Sequence, residues 1–138
     1  MTSTAPLACA VPTRREGAGW SVAGLFLEAL ARRDFAGMGA CLAPTVHFRA
    51  LVPPGPIDVT GVDAMLAYFT RWFGARESFD VVDASIGQVG PRLYLRWRVR
   101  VNDPDRPGAH LVVEQHVFAR AGERIDSLEL LCSGFQAE

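Results

Sequence analysis

The segment from Leu93 to Val101 alternates strictly between apolar and polar residues, and this pattern constrains the fold more than any other feature of the chain. Successive side chains of a β-strand point to opposite faces of its sheet. The segment therefore predicts a strand with one buried face and one solvated face. The buried set is Leu93, Leu95, Trp97, Val99 and Val101, and the solvated set is Tyr94, Arg96, Arg98 and Arg100.

Four other segments predict strands. They are residues 46–50, 79–89, 111–120 and 125–132, and the last two form a hairpin around Ala121-Gly122-Glu123. The proline-rich stretch Pro53-Pro54-Gly55-Pro56 cannot continue a hydrogen-bonded ladder, so it predicts a turn or a lid.

Three segments predict helices. The first begins at Ser21, which can cap the first turn. A short second helix follows over residues 35–42 and stops at Pro44. The third runs over residues 61–73, with Gly74 as its C-terminal cap. The predicted order is α-α-β-α-β-β-β-β, and the predicted fold class is α+β, with a curved mixed or antiparallel sheet wrapped around helices.

The length and composition fit a single globular domain. The chain has 138 residues, of which 49% are hydrophobic and 21% charged. Residues 1–19 are rich in Thr, Pro, Ala and Gly, and their basic residues Arg14 and Arg15 follow the mildly apolar part, the wrong order for a secretory signal. We therefore predict a flexible tail over 1–19 and one domain over 20–138. No apolar run approaches the roughly 20 residues that span a bilayer, so we predict no membrane partner.

Charge and cysteine usage narrow the partners and the compartment. The 14 basic and 15 acidic side chains give a net charge of −1, whereas a nucleic-acid binder normally carries a basic excess. Cys9, Cys41 and Cys132 are odd in number and far apart, which predicts free thiols in a reducing cytoplasm. The histidines lack metal-ligand spacing and no glycine-rich loop opens a helix, so we predict neither a metal nor a cofactor.

Several segments, taken in order, carry a family resemblance. They are Phe26-Leu27-Glu28-Ala29-Leu30 with Asp34-Phe35, residues 42–48, residues 60–65, and the closing hairpin with His116-Val117-Phe118 and Gly122-Glu123-Arg124-Ile125. From about Ser21 onward the chain resembles the SnoaL-like branch of the nuclear transport factor 2 superfamily. The resemblance implies a curved sheet and three helices that form a cone, an apolar small-molecule ligand, and a homodimer built through the outer face of the sheet. Relatives include polyketide cyclases, ketosteroid isomerases, epoxide hydrolases and binding proteins without chemistry.

Two positions depart from these relatives. Ala50 stands where ketosteroid isomerases carry a general-base aspartate, and His116 stands where SnoaL-type cyclases carry an acid–base aspartate in the penultimate strand. By this resemblance, the chain lacks the general base of the isomerases but has a titratable side chain at the position of the cyclase acid–base group.

Glu114, His116 and Phe118 are two residues apart, so they share one face of a strand. The family motif places the pocket residue two before the aromatic, which favours this face as the pocket lining. A pairing of His116 with Leu128 would bring Cys132 to the same face. The opposite phase, with Gln115 inside and Glu114 and His116 at the outer surface, stays open because a one-residue slip reverses every side chain.

A histidine beside a glutamate in an apolar cavity can move protons, because the carboxylate orients the imidazole and stabilises its cation. We therefore predict His116 as the acid–base group and Glu114 as its partner, unless Glu114 is an exposed strand residue and His116 a structural histidine. The residues predicted to contact substrate are Trp97, Phe118, Phe69, Trp72, Phe48, Phe26, Arg49 and Cys132.

These predictions support three functions. The first is a cofactor-independent cyclase, isomerase or dehydratase that acts on an apolar, polyketide-like substrate. The second is a small-molecule binding protein without chemistry, and the third is a dimeric interaction domain. The arginine stripe Arg96, Arg98 and Arg100 predicts an ion ladder with the neighbouring strand's Asp80 and Asp83 rather than an anion site.

Overall fold

The computed structural model describes residues 14–138, with side chains from residue 19 onward. Three helices and seven strands follow one another in this part of the chain. The helices are α1 (Arg14–Ala31), α2 (Phe35–Ala40) and α3 (Val62–Phe73). The strands are β1 (Leu42–Val52), β2 (Gly55–Thr60), β3 (Phe79–Val89), β4 (Arg92–Asn102), β5 (His110–Ala121), β6 (Ile125–Cys132) and β7 (Gln136–Ala137).

The strands form one curved sheet in the order β2-β1-β6-β5-β4-β3, and β7 pairs with the beginning of β5. All neighbours are antiparallel except β1 and β6, which run parallel. Helices α1 and α3 lie against one face of the sheet, which we call the inner face, and the other face is the outer face. The predicted α+β class, with a curved mixed sheet wrapped around helices, is confirmed.

The first helix starts earlier than predicted. Ser21 lies inside α1, which already runs from Arg14, so its predicted role as the N-terminal cap is wrong. Gly19 passes so close to β5 that a Cβ would lie 3.0 Å from the carbonyl oxygen of Ala121. The absence of a side chain at Gly19 thus permits the extra turns of α1 to pack on the sheet. The part of the predicted tail over residues 1–13 lies outside the described residues.

Strand β2 was not predicted. It returns from the turn at Pro53 and Pro54 and pairs with β1, so that Leu51 lies opposite Pro56. Proline is tolerated there because β2 is an edge strand, where the missing N–H leaves no ladder bond unmade. The predicted turn is therefore real, but it is only two residues long and closes a hairpin.

Aromatic side chains fill the space between the helices and the inner face. Phe26, Phe69 and Trp97 are fully buried, and the centroid of the Phe69 ring lies 6.3 Å from that of Trp97. Phe48 adds a fourth ring 5.9 Å from Phe69. Because each fully buried aromatic side chain contributes about 1.5–3 kcal/mol, this cluster is the centre of the core. The residues predicted to wall a hollow therefore pack against one another.

Helix α3 is held at both ends by backbone features. Gly61 caps its N-terminus at φ +105°, a conformation that favours glycine, and Gly74 caps its C-terminus by donating to the carbonyl of Thr70 at 2.7 Å. Arg33, itself at φ +53°, donates to the carbonyl oxygens of Phe73 and Arg76 at 3.1 and 2.6 Å. These contacts tie the end of α3 to α1. Within residues 14–138, no helix is long and apolar enough to cross a membrane.

Candidate functional site

The side chains that β5 turns toward the core are not those of the predicted Glu114–His116 pair but those of the residues between and beside them. Val113, Gln115 and Val117 are buried, whereas Glu114 and His116 lie on the outer face. The predicted phase is therefore wrong, and the alternative phase with Gln115 inside is the observed one. The reason lies in β4, where Trp97 sits directly opposite Gln115. Since opposite residues share a face, the buried side of β4 dictates the buried side of β5.

The predicted pairing between β5 and β6 is also wrong. His116 lies opposite Leu131 rather than Leu128, and Gln115 lies opposite Cys132. An irregularity in the ladder between Arg120 and Ala121 accompanies this register. Cys132 therefore faces the interior as predicted, but its neighbour there is Gln115 and not the Glu114–His116 pair.

Gln115 is the polar side chain that the described part of the chain buries most completely, at 1% exposure. Its Oε1 accepts a hydrogen bond from the indole Nε1 of Trp97 at 2.7 Å. Its Nε2 donates to the sulfur of Cys132 at 3.4 Å, and the same sulfur accepts from the backbone N–H of Gly134 at 3.3 Å. A primary amide has two hydrogens on nitrogen, and the second has no partner within residues 14–138. The sequence predicts Gln115 inside only in the alternative phase, because the register that places Trp97 opposite it is known only from the structure.

The end of the inner face beside the last turns of α3 has side chains that are only partly buried, and we call it the open end. Tyr68 and Trp72 of α3, Cys132 of β6 and Phe135 are only partly buried there. The rings of Tyr68 and Trp72 lie 6.1 Å apart, and the Arg76 guanidinium stacks 4.4 Å above the Phe135 ring. At the open end, partly buried aromatic side chains thus lie near Cys132, whose sulfur contacts the buried Gln115 amide.

The predicted substrate-contacting residues divide into three groups. Trp72 and Cys132 lie at the open end. Phe118 and Arg49 lie on the outer face, so the predicted place of Phe118 as a wall of the cavity is wrong, and Arg49 is not brought together with the inner-face residues. The other four, Phe26, Phe48, Phe69 and Trp97, are fully buried in the core.

The predicted histidine–glutamate pair exists, but on the outer face. His116 Nε2 lies 2.7 Å from Glu114 Oε2, and His116 Nδ1 lies 2.5 Å from the hydroxyl of Tyr94. The hydrogen bond with His116 and that from Arg98, at 2.8 Å, hold the pKa of the Glu114 carboxyl below its usual value. An ionised Glu114 accepts hydrogen bonds, which assigns the ring proton to Nε2 and leaves Nδ1 to accept from Tyr94.

A shallow groove of about 680 Å³ runs beside this pair on the outer face. Three aromatic side chains of β4 and β5 line it: Tyr94, His116 and Phe118. The centroid of the Tyr94 ring lies 5.8 Å from that of His116 and 5.4 Å from that of Phe118. Arg49 lies across the groove and pairs with Glu129 at 3.4 Å. The groove thus brings an imidazole, a phenol and a guanidinium to one apolar surface.

The arginine stripe forms an ion ladder, but only one of the two predicted aspartates takes part in it. Arg96 pairs with Asp83 at 2.8 Å, as expected, and this guanidinium lowers the pKa of the Asp83 carboxyl. Asp80 lies opposite Arg100, and the structure shows no ion pair between them. Arg98 pairs with Glu114, and Arg100 pairs with Glu138 at 2.7 Å. The Glu138 partner has no sequence signal, because only the pairing of β7 with β5 brings the end of the described chain there. Exposed pairs of this kind contribute little to stability.

A second cavity, of about 660 Å³, lies between α1, α2 and the turn after β5. Cys41 forms part of its lining, and burial raises the pKa of this thiol. Glu28, Arg32, Glu123 and Arg124 bring charges of both signs to the same cavity. Within residues 14–138, no three His, Cys, Asp or Glu side chains come together in a group that could hold a metal ion.

The chain is similar to a known family and to solved structures, but not to any curated protein. A family model for the SnoaL-like domain matches residues 23–127. No curated protein matches the chain.

Solved structures share the fold at low sequence identity. A protein from Xanthomonas campestris proposed to be a polyketide cyclase is 20% identical, with a TM-score of 0.65 and 86% of this chain and 92% of that chain covered. A nuclear transport factor 2-like protein of unknown function from Burkholderia pseudomallei is 19% identical, with a TM-score of 0.65 and coverage of 86% and 90%. A protein from Catenulispora acidiphila with a ketosteroid isomerase-like fold, in complex with trimethylamine, is 15% identical, with a TM-score of 0.63 and coverage of 79% and 82%. The fold is of the nuclear transport factor 2 type, and the chain belongs to the SnoaL-like domain family.

Proposed function

We propose that this protein binds a small, mostly apolar molecule at the open end of its cone, with Gln115 as the polar anchor. The observation that carries the proposal is the state of the Gln115 amide. It is 1% exposed, one of its N–H groups has only a sulfur as partner, and the other has none among the described residues. Buried donors in native proteins are nearly always satisfied, so such an amide favours a ligand that completes its hydrogen bonds.

The surroundings of Gln115 favour binding without chemistry. General acid–base catalysis needs a titratable group within hydrogen-bond reach of the reacting atom. Within the described chain, the fully buried residues of the inner face include no carboxylate, imidazole or amine. The aromatic walls at Tyr68 and Trp72 instead supply apolar contact area, which is what a binding pocket for an apolar molecule requires.

The experiment is a titration followed by ¹H–¹⁵N NMR, with 1-indanone as the probe. We expect the indole N–H of Trp97 and the side-chain amide of Gln115 to shift and saturate together. Trp20 and Gln88 form the matched control, because they make the same indole-to-amide hydrogen bond, at 3.0 Å, on the exposed surface. Shifts at Trp20 and Gln88 without shifts at Trp97 and Gln115, or no shifts at all, would contradict the proposal.

A second candidate function is cofactor-independent acid–base catalysis of the cyclase, isomerase or dehydratase type in the outer groove. It is favoured by the hydrogen-bonded line from Glu114 through His116 to the Tyr94 hydroxyl. In this line His116 Nδ1 can take the hydroxyl proton of Tyr94, while Glu114 stabilises the resulting imidazolium. Tyr94 would then act on a ligand held against Phe118, which lines the same groove.

This second candidate predicts exchange of the α-hydrogens of an apolar ketone with solvent deuterium. We expect His116→Gln to abolish the exchange and Glu114→Gln to slow it, with Arg100→Gln, at the far end of the ladder, as the control. An exchange rate that is the same in His116→Gln as in the unchanged protein would exclude His116 as the acid–base group.

Together with the binding function, and as an alternative to catalysis in the outer groove, we also propose that a second copy of the chain covers the outer face. Leu51, Phe118 and Leu131 expose large apolar surfaces there, at 41–56% of their full exposure, and charged pairs flank them. We expect the protein to elute as a dimer with light-scattering detection and Leu131→Arg to convert it to a monomer. Leu25→Arg, at a residue of α1 with 57% exposure, is the control that should stay dimeric. A monomeric unchanged protein would overturn the proposal.

The compartment that we propose is the reducing cytoplasm, because Cys41 and Cys132 are both free thiols in the described part of the chain.

A further inference from the structure

We propose that the free edge of β3 pairs with the β3 edge of a second copy of the chain, so that the two sheets become continuous. This contact is separate from the outer face and goes beyond the functions proposed above. The sheet order leaves β3 with a hydrogen-bonded neighbour, β4, on one side only. On its other side, the backbone N–H and C=O groups of β3 have no strand partner within residues 14–138.

The two edges of the sheet differ in how well they resist pairing with another chain. The other edge strand, β2, is six residues long and contains Pro56, which has no N–H to donate. By contrast, β3 is 11 residues long and has no proline or lysine, two residues that natural edge strands use against such pairing. Its irregularity, between Val81 and Asp83, lies in its first half, and from Asp83 to Val89 its register with β4 is unbroken. Residues 83–89, which we call the edge segment, therefore form a regular template for another strand.

Large apolar side chains are exposed along the same edge. Val82 and Val89 of β3 are 52% and 60% exposed. Trp20, at 39% exposure, is held beside the end of β3 because its indole N–H donates to Gln88 at 3.0 Å. Apart from Leu25 and the residues of the outer face, these three are the large apolar side chains that the described chain exposes. Contiguous exposed apolar surface marks interaction sites, so this edge is favoured as a contact.

The register of a symmetric pair follows from the two faces of β3. Two copies of one strand pair antiparallel about a two-fold axis, and residues that lie opposite each other share a face. An axis at Ile86 uses the whole edge segment and places Asp83 opposite Val89 of the partner subunit. An axis at residue 85 or 87 reaches the irregularity at one end or the turn at Gly90 at the other, and so shortens the regular pairing. Ile86 is therefore the expected centre.

The charges of β3 are compatible with a second copy as the occupant. Residues 84–89 carry no charge, and Asp83 is already paired with Arg96 at 2.8 Å. In the expected register the two Asp83 carboxylates are six residues apart along the strands, about 20 Å. This separation exceeds the Debye length of about 8 Å at physiological ionic strength. Pairing thus brings no like charges together, and it places Gln88, with its bonded Trp20, opposite the small side chain of Ala84 of the partner subunit.

The expected association is weak, because a single strand from each copy takes part and small interfaces are transient. We expect a dissociation constant on the order of 0.1 mM. At the micromolar dilution of a gel-filtration column the edges are then separate, and the outer-face dimer proposed above is unaffected. The test therefore uses Leu131→Arg, in which the outer-face contact is removed and association through β3 is measured by itself.

The first measurement is amide hydrogen exchange followed by NMR at protein concentrations of about 20 µM and 1 mM. Amides of the edge segment that point away from β4 should exchange about fourfold more slowly at the higher concentration, because mass action moves them into the paired state. The outward amides of β2 are the control and should exchange at the same rate at both concentrations. Concentration-independent exchange in the edge segment, or equal slowing at both edges, would overturn the proposal.

The second measurement tests the register by sedimentation equilibrium. Val89→Lys places a cation opposite Asp83 of the partner subunit, and Val89→Asp places an anion there. We expect the first variant to lower the dissociation constant about threefold and the second to raise it by a similar factor, as exposed charge pairs do. Val82→Lys and Val82→Asp are the matched controls, because Val82 is a similarly exposed valine of β3 outside the edge segment, and their dissociation constants should agree.

The outcomes at the two surfaces are independent. Equal dissociation constants for Val89→Lys and Val89→Asp would overturn the edge pairing. The outer-face dimer instead depends on the unchanged protein at column dilution, so either proposal can fail while the other stands.

Discussion

The inner and outer faces of the sheet contain the same kinds of group in opposite settings. Phenylalanine occurs on both faces: Phe69 is fully buried against the inner face, and Phe118 is partly exposed on the outer face. The molecule also contains the same tryptophan-to-glutamine hydrogen bond twice, buried in Trp97–Gln115 and exposed in Trp20–Gln88. On the outer face, Glu114, His116 and Tyr94 are hydrogen-bonded to one another, whereas the buried inner face of the described residues holds the Gln115 amide. The comparison teaches that the hydrogen-bonded Glu114–His116 pair and the buried Gln115 amide, whose N–H₂ group contacts a sulfur, lie on different faces.

The largest expected difference between the faces concerns stability. Phe69→Ala removes a fully buried ring and should lower the free energy of unfolding by about 3–5 kcal/mol, because it leaves a cavity among packed aromatics. Phe118→Ala removes a ring with 41% exposure and should cost no more than about 1 kcal/mol. Urea denaturation measures both values, and equal losses would contradict the assignment of the faces.

The two glutamines provide a smaller and sharper contrast. Gln115→Leu leaves the Trp97 indole N–H buried without a partner, so we expect a loss of about 1–3 kcal/mol in the free energy of unfolding. Gln88→Leu leaves Trp20 free to bond with water, and the loss should stay within about 0.5 kcal/mol. Urea denaturation of both variants tests this, and a neutral Gln115→Leu would show that Trp97 does not depend on the amide.

A weaker effect is expected at Glu114 on the outer face. The hydrogen bonds with His116 and from Arg98 lower the pKa of the Glu114 carboxyl in the folded protein, so its stabilising contribution is fully present above the unfolded-state pKa. The contribution is lost as the pH falls through the lower folded-state pKa. Because solvent screens this partly exposed group, the difference between the unchanged protein and Glu114→Gln should be below about 1 kcal/mol at pH 7 and should vanish in acid. Unfolding measured from pH 7 to pH 3 checks the direction, and a difference that grows in acid would contradict it.

The smallest effect is a difference between two thiols. Cys132 is partly exposed at the open end, while Cys41 is buried and burial raises its pKa. Since the thiolate is the reactive form, Cys132 should react faster than Cys41 with a chromogenic disulfide at pH 8. The comparison is made in a Cys9→Ser background with Cys41→Ser and Cys132→Ser in turn. Binding of 1-indanone should lower the reaction rate of Cys132 and leave that of Cys41 unchanged. An equal decrease in both rates would show that the probe binds elsewhere.

The sequence predicts the elements well wherever the periodicity is long. The alternation of β4, the bounds of β3 and β6, and the end of α3 at Gly74 are all confirmed by the structure. Strand β2 was missed because its six residues contain Pro56 and follow two prolines, a composition typical of loops. The start of α1 was missed because serine is a preferred N-cap residue, so the sequence predicts a helix that begins at Ser21. A residue of this type can also lie inside a helix, as Ser21 does.

The candidate site was predicted less well, and the reason is specific to strands. Along β5 both faces carry a plausible set: Val113, Gln115 and Val117 on one side, Glu114 and His116 on the other. A strand with two usable faces does not specify its own phase, which is set by the neighbour across the ladder. The hydrogen bond between His116 and Glu114 followed from their spacing alone, whereas the Trp97–Gln115 bond required the register of β4 and β5.

The parallel pairing of β1 with β6 has a consequence for how the chain reaches this structure. Arg49 and Glu129, which lie side by side in that pairing, are 80 residues apart in the sequence. Until β6 is available, the β1–β2 hairpin has no third strand, and two-stranded hairpins are at best marginally stable. We therefore expect slow assembly that waits for the last full-length strand to leave the ribosome, because contacts distant in sequence carry the largest loop-closure cost.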